Sequence, residues 1–193
     1  DASPWGLGAI LVHSASGIIM SCLAHTVTDE EAKVLGVKRG EPASQSCFEM
    51  LTFLVALNFW KRFFARRTRT PLVKSDSMAA LGAALRLCSP TPQMNFLGAE
   101  LSLVLEVHDI ADVVGTHIPG KLNVCADYLS RLAPDCPNKE ERPKELGDLK
   151  PKEVACSYSF SLPGPGERPE LWGKSALPSV GSAEEEEEKQ WEP

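Results

Sequence analysis

The segment "SCFEMLTFLVALNFWKRFFARR", residues 46–67, most constrains what this chain can fold into. It predicts one long helix that is apolar nearly all round, and such a helix cannot rest a face on water. It must be covered on several sides, and 193 residues of which 43% are hydrophobic supply enough partners to do so. Ser46 is a suitable N-cap for this helix. Lys61, Arg62, Arg66, Arg67 and Arg69 crowd its last turns, where the helix dipole favours cations.

The covering elements can be read on either side. "GLGAILVH" and "GIIMSCLAHTV" are β-branched-rich runs joined by "SASG", which predicts an antiparallel hairpin. The stretch "TDEEAKVLGVKRGEPASQ" reads as a polar loop. Beyond the long helix, "PLVKSDS" predicts a short strand, and a helix follows from about Met78 to Leu87, ended by Ser89 and Pro90. "MNFLGAELSLVLEVHDI" predicts a further helix, "ADVVGTHI" a strand and "NVCADYLSRLA" a last helix. The expected fold is α/β, a mixed β-sheet flanked by helices, over residues 1–133.

From Pro134 the composition shifts to Pro, Glu, Lys and Ser, ending in the run Glu184 to Glu188. The first 133 residues balance twelve Lys and Arg against twelve Asp and Glu, whereas the remainder holds eight against fourteen, so the excess acid lies entirely in the tail. Such a segment buries too little apolar surface to offset its chain entropy, which predicts a disordered tail over 134–193 apart from short contacts by Trp172 or Trp191. Cys22, Cys47, Cys88, Cys125, Cys136 and Cys156 have no paired spacing, as expected of reduced thiols. No apolar run is long enough to span a bilayer, so the chain is expected to be soluble and intracellular, cytoplasmic or nuclear, with no membrane partner. It opens on Asp1 without a leader and reads as a piece of something longer.

Four carboxylates stand where a solvated face would not place them: Asp1 before a Gly-rich strand entry, Glu49 in the most apolar helix, Asp76 at a strand end and Asp127 in the last helix. In α/β sheets, sites gather at strand ends and helix starts. Each also has a structural reading, since Asp76 could cap a helix and Glu49 could favour a helix N-terminus. His117 precedes a Pro-Gly turn ten residues before Asp127.

Taken in order, "DAS" with "GLGAIL", "FEMLTFLVAL", "VKSDSMAAL" and above all "HIPGKLNVCADYLSRL" resemble the ribonuclease H domain of reverse transcriptase polyproteins from LTR retrotransposons of the gypsy-like kind. The resemblance covers about residues 1–133. It implies a ribonuclease H-like fold and an endonuclease that cuts the RNA strand of RNA/DNA hybrids, working beside the reverse transcriptase polymerase domain of the same polyprotein. It implies that Asp1, Glu49, Asp76 and Asp127 are catalytic ligands of two Mg²⁺ ions, which Mn²⁺ could replace, and that His117 assists proton transfer or product release. Two metal ions can activate a water and stabilise the leaving oxygen together, and Mg²⁺ prefers hard oxygen donors. Ser77 and Asn123 flank the acidic residues and are expected to touch the nucleic-acid backbone. Lys61, Arg62, Arg66 and Arg67 are expected to contact phosphates, with the helix dipole as the alternative reason for their presence.

The chain departs from that family in two ways. The family's sheet has a first central strand running into the first aspartate, and here that strand is largely missing, so the chain is expected to be a fragment with poor activity alone. The link "CSPTPQ" is also too short for the extra basic helix of some cellular ribonucleases H. An alternative reading is an inactive or host-adopted fragment acting as a binding or scaffold module. A transposase or integrase core is a third, less well matched by the closing motif.

Overall fold

The computed structural model describes residues 1–154 and 157–172. Its first elements are the expected hairpin, β1 (Gly6–Val12) and β2 (Ile19–Thr26), paired antiparallel from Gly6 opposite Thr26. The turn closes with His13 N–H donating to Ile18 O, and Gly17 supplies the positive φ of +70°. The segment read as a polar loop contains a helix instead, α1 (Asp29–Leu35). Thr28 and Glu31 form a reciprocal capping box and Gly36 ends the helix in the left-handed region, both of which were present as "TDEE" and "LG".

The long apolar segment forms α2 (Gln45–Trp60), followed by short 3-10 turns over Lys61–Phe63 and Ala65–Arg67. Next come β3 (Leu72–Ser75), α3 (Met78–Arg86), α4 (Pro92–Val107) and β4 (Val114–His117), with β4 parallel to β3. The last elements are α5 (Val124–Ser130), the two-residue β5 (Lys152–Glu153) and the single turn α6 (Pro169–Trp172). Phe48, Met50, Leu51 and Leu54 of α2 are completely buried in one core with Leu7 and Leu23 of the hairpin, Ala80 and Ala84 of α3, and Phe96, Leu97 and Leu101 of α4. On the hairpin's other face a smaller core joins Cys22 and Ala24 to Cys125 and Leu129 of α5 and to Leu146. The hairpin is thus held between α2 and α5.

The fold is α/β with mixed strand pairing flanked by helices. The strands are divided, however, between two sheets: β1-β2-β5, in which β5 runs parallel to β2, and β3-β4. Among the described residues no strand joins β1 to β3; residues 1–3 run along the near half of β1's second edge, with Asp1 paired to Gly8 and Ala2 to Leu7.

The expected boundary at residue 133 does not mark the end of packed structure. Leu146 is buried in the smaller core, and residues 157–162 are tied down by two buried carboxylates. Glu31 Oε1 accepts from Tyr158 N–H at 2.7 Å, and Glu100 Oε1 accepts from Ser161 and Leu162 N–H at 2.8 and 2.6 Å. Phe160 and Trp172 then pack against Phe96, the first tilted and the second edge-on, with centroids 5.3 and 5.2 Å away. Average composition hid this because a few aromatic and backbone contacts suffice to fix a short strap. The expectation for residues 173–193, which include the run Glu184 to Glu188, lies outside the described residues. Cys22, Cys47, Cys88, Cys125 and Cys136 are free thiols, and among the described residues no helix is long and apolar enough to cross a membrane.

Candidate metal centre

Three distant segments deliver carboxylates to one point. Asp1 is paired with β1, its N–H₃⁺ donating to Gly8 O at 3.0 Å while Gly8 N–H donates back to Asp1 O at 2.9 Å. Glu49 projects from the second turn of α2, and Asp76 follows the last residue of β3. One oxygen from each of Asp1, Glu49 and Asp76 lies within 4.8 Å of the others. Ser77, not Asp76, caps α3, its hydroxyl accepting from Ala80 N–H, so capping does not explain why an aspartate stands at 76.

Asn123, just before α5, bridges the group: its side-chain amide donates to Asp1 Oδ2 at 2.7 Å and to Asp76 Oδ1 at 2.9 Å. Expected at the nucleic-acid backbone, Asn123 here holds two carboxylates side by side. Glu49 is 5% exposed, and its Oε2 is buried with no hydrogen-bond partner among the described residues. Burial raises its pKa above 4.5, against the opposing influence of the Asp1 ammonium and the Ala2 N–H, while Asp76 and Asp127 push it further up. The Asp1 amino group is held below its usual 8.0 by burial, with the same three carboxylates acting in the other direction. A buried carboxylate oxygen without a donor, beside two more carboxylates, is a donor set of hard oxygens that a cation would satisfy. The residues present therefore fit a metal ion.

The remaining expected site residues are placed as follows. Asp127 lies outside the group of three and is engaged instead by Arg131, which caps the C-terminus of α5 and reaches its Oδ1 through Nε at 3.0 Å and through a terminal nitrogen at 2.8 Å. Arg131 also meets Glu140 at 3.2 Å. The i,i+4 spacing of Asp127 and Arg131 is visible in "ADYLSR" and was the available signal for this pairing. His117 ends β4 in register with Ser75, next to the cluster, and is exposed. The turn after it closes over Asp76, since a Cβ on Gly120 would lie 3.0 Å from Asp76 Oδ2.

The basic residues stand apart. Lys61 is twelve residues beyond Glu49, about 18 Å along the helix axis. Its ammonium donates to Asn58 Oδ1 at 3.1 Å, and Arg62 lies over the Phe63 ring. Arg66 and Arg67 both adopt positive φ, their N–H groups donating to the carbonyls of His108 and Asp109, and Arg67 pairs with the Asp109 carboxylate at 2.8 Å. The structure thus brings together Asp1, Glu49, Asp76 and Asn123, sets His117 and Asp127 beside them, and leaves Lys61, Arg62, Arg66 and Arg67 at the far end of α2. Comparisons of the chain with protein-family models, with curated proteins and with solved structures returned no match.

Proposed function

We propose that this chain is the nuclease module of a retroelement reverse transcriptase, hydrolysing the RNA strand of RNA/DNA hybrids with two Mg²⁺ ions, as its resemblance to ribonuclease H domains implies. The observation that carries the reading is the meeting of Asp1, Glu49 and Asp76, from a strand entry, a buried helix and a strand end, within 4.8 Å, together with a buried Glu49 oxygen that has no hydrogen-bond partner among the described residues. Bound there, divalent ions would supply an activated water and charge stabilisation for the leaving oxygen. Asp1, Glu49 and Asp76 would hold the ions, and Asn123 keeps the first and third carboxylates in register beforehand. Asp127 joins them once Arg131 turns from it toward Glu140, which it already touches. His117, exposed at the strand end beside Asp76, is the residue this reading assigns to proton transfer or product release. The basic residues ending α2 would meet phosphates of the hybrid away from the cut, together with the polymerase domain that this reading places alongside.

The engagement of Asp127 by Arg131 favours a second reading, a binding or scaffold module that keeps the fold without cutting. The test is cleavage of an end-labelled RNA/DNA hybrid in Mg²⁺, with Asp76→Asn as control. Metal-dependent cutting of the RNA strand that falls at least about a hundredfold in the variant supports the enzyme. Hybrid binding without cutting, unchanged by Asp76→Asn, assigns the binding module instead.

A further inference from the structure

The basic residues that follow α2 are held out from the fold by an unusual turn. Arg66 and Arg67 adopt φ of +58° and +51°, the left-handed region that long side chains rarely occupy. Their N–H groups donate to His108 O at 3.2 Å and Asp109 O at 2.7 Å, which locks the turn onto the C-terminal end of α4. Arg62, Arg66, Arg67 and Arg69 are all exposed there. Arg67 is matched by the Asp109 carboxylate, with Glu106 and Asp112 nearby. Lys61, Arg62, Arg66 and Arg69 form no ion pair among the described residues. A turn that suits glycine is thus given to arginines, and most of the charge around it finds no counter-charge within the described fold.

The chain carries a matching counter-charge of its own. Glu184 to Glu188 are five successive carboxylates outside the described residues, a composition suited to electrostatic contact. The place from which they are tethered is fixed, because Trp172 packs edge-on against Phe96 in the second turn of α4 and its indole N–H donates to Pro163 O at 2.8 Å. From Phe96 to His108 is twelve residues, about 18 Å along the axis of α4. From Trp172 to Glu184 is also twelve residues, and these can reach up to about 40 Å. We propose that Glu184–Glu188 dock on Arg62, Arg66 and Arg69 beyond α2, so that the chain's own acidic run competes with nucleic-acid phosphates for that surface.

Each exposed ion pair is weak alone, but the tether keeps the run at an effective concentration of millimolar order and lets several pairs form together. Salt screens them, as it screens phosphate contacts at the same arginines. A nucleic acid with many phosphates displaces the run, whereas a short one meets it as a competitor. The docking itself needs no metal and no hybrid. Its consequence for hybrid binding rests on the nuclease reading.

The test uses the full chain in EDTA at low salt. Carbodiimide cross-linking, mapped by mass spectrometry, should join Lys61 Nζ to a carboxylate of Glu184–Glu188 within one chain, and Arg66→Lys supplies a second, exposed amine for the same link. About 0.5 M NaCl should abolish it. A fluorescein-labelled oligothymidylate should bind at least about threefold tighter once Glu184–Glu188 are all replaced by Gln, because a tethered competitor has been removed. With Arg62→Gln, Arg66→Gly and Arg69→Gln in place, the Gln replacement should no longer change that affinity; glycine preserves the left-handed turn at 66. The absence of an intrachain link from both position 61 and position 66 overturns the proposal, as does equal affinity of the parent and Gln-tail proteins. Tightening that persists without the three arginines also overturns it, since a run that only repels nucleic acid from a distance acts in either background. Links that join isotopically labelled to unlabelled chains assign the run to a second copy and overturn it as well. An intrachain link in a protein that never cuts hybrid would keep this contact and remove the nuclease reading.

Discussion

His25 and Glu31 show how much of this fold's stability rests on single buried polar contacts. Both are almost wholly buried, and His25 Nε2 lies 2.9 Å from each Glu31 oxygen. Burial alone would lower the imidazole pKa, but the hydrogen bond and charge of Glu31 outweigh it and the net shift is upward from 6.5. Burial likewise opposes the Glu31 charge, yet His25 with the Thr28 and Tyr158 N–H groups brings its pKa below 4.5. A lowered carboxylate stabilises above 4.5 and loses that contribution as pH falls through its folded value. A raised imidazole stabilises fully below 6.5 and loses its share as pH rises through its folded value. Stability should therefore peak between about pH 4.5 and 6.5 and decline on both sides. Glu31→Ala should cost about 3–5 kcal/mol in urea unfolding at pH 6 and flatten the profile, because it strands His25 and two backbone donors. An unchanged profile in that variant would show that other groups set the pH dependence. At this scale the sequence displayed the candidate carboxylates but not their partners. Asn123 reads as one more polar residue until the fold places it between Asp1 and Asp76.

At the scale of elements, α5 sits on β1 with no room for a side chain at Gly8. A Cβ there would come within 2.1 Å of Ala126 O and 2.5 Å of Ser130 N, both backbone atoms of the helix. Gly8→Ala should therefore destabilise by about 1–3 kcal/mol or more, since the helix has to back away from the strand. Gly17→Ala at the hairpin turn has open space around it, and its cost should be limited to the left-handed backbone, about 1 kcal/mol. Equal midpoints for the two variants in urea would contradict this close helix-on-strand contact. The sequence displayed α2 and the hairpin plainly, because continuous apolar runs and a Gly-containing turn are local signals. It also carried the capping box of α1, which charge density made look like a loop.

At the scale of the whole molecule, the segment 157–172 acts as a strap over α1 and α4. It supplies the N–H groups that satisfy Glu31 and Glu100, and the rings that cover Phe96, which is fully buried. A chain ending at Val154 would leave both carboxylates short of donors and expose the Phe96 face. Each lost charge-assisted bond is worth about 1.5–3 kcal/mol, so the loss should exceed about 3 kcal/mol and bring binding of a hydrophobic dye. A truncated protein that melts at the full chain's temperature would show that the strap adds nothing to stability.

Local pattern in the sequence accounts for the all-round apolar helix, the hairpin, the strands at 72–75 and 114–117 with the helices between them, and the residues able to serve as hard oxygen donors; that these two strands pair, and run parallel, is tertiary. Tertiary structure alone decided which of those donors meet. Asp1, Glu49 and Asp76 converge because β1, α2 and β3 share one groove, whereas Asp127 is drawn aside by Arg131 one helical turn away. Tertiary structure also decided that the strands divide between two sheets and that a Pro-rich segment packs. These outcomes depend on contacts between residues far apart in the chain, and neither composition nor periodicity encodes such distances.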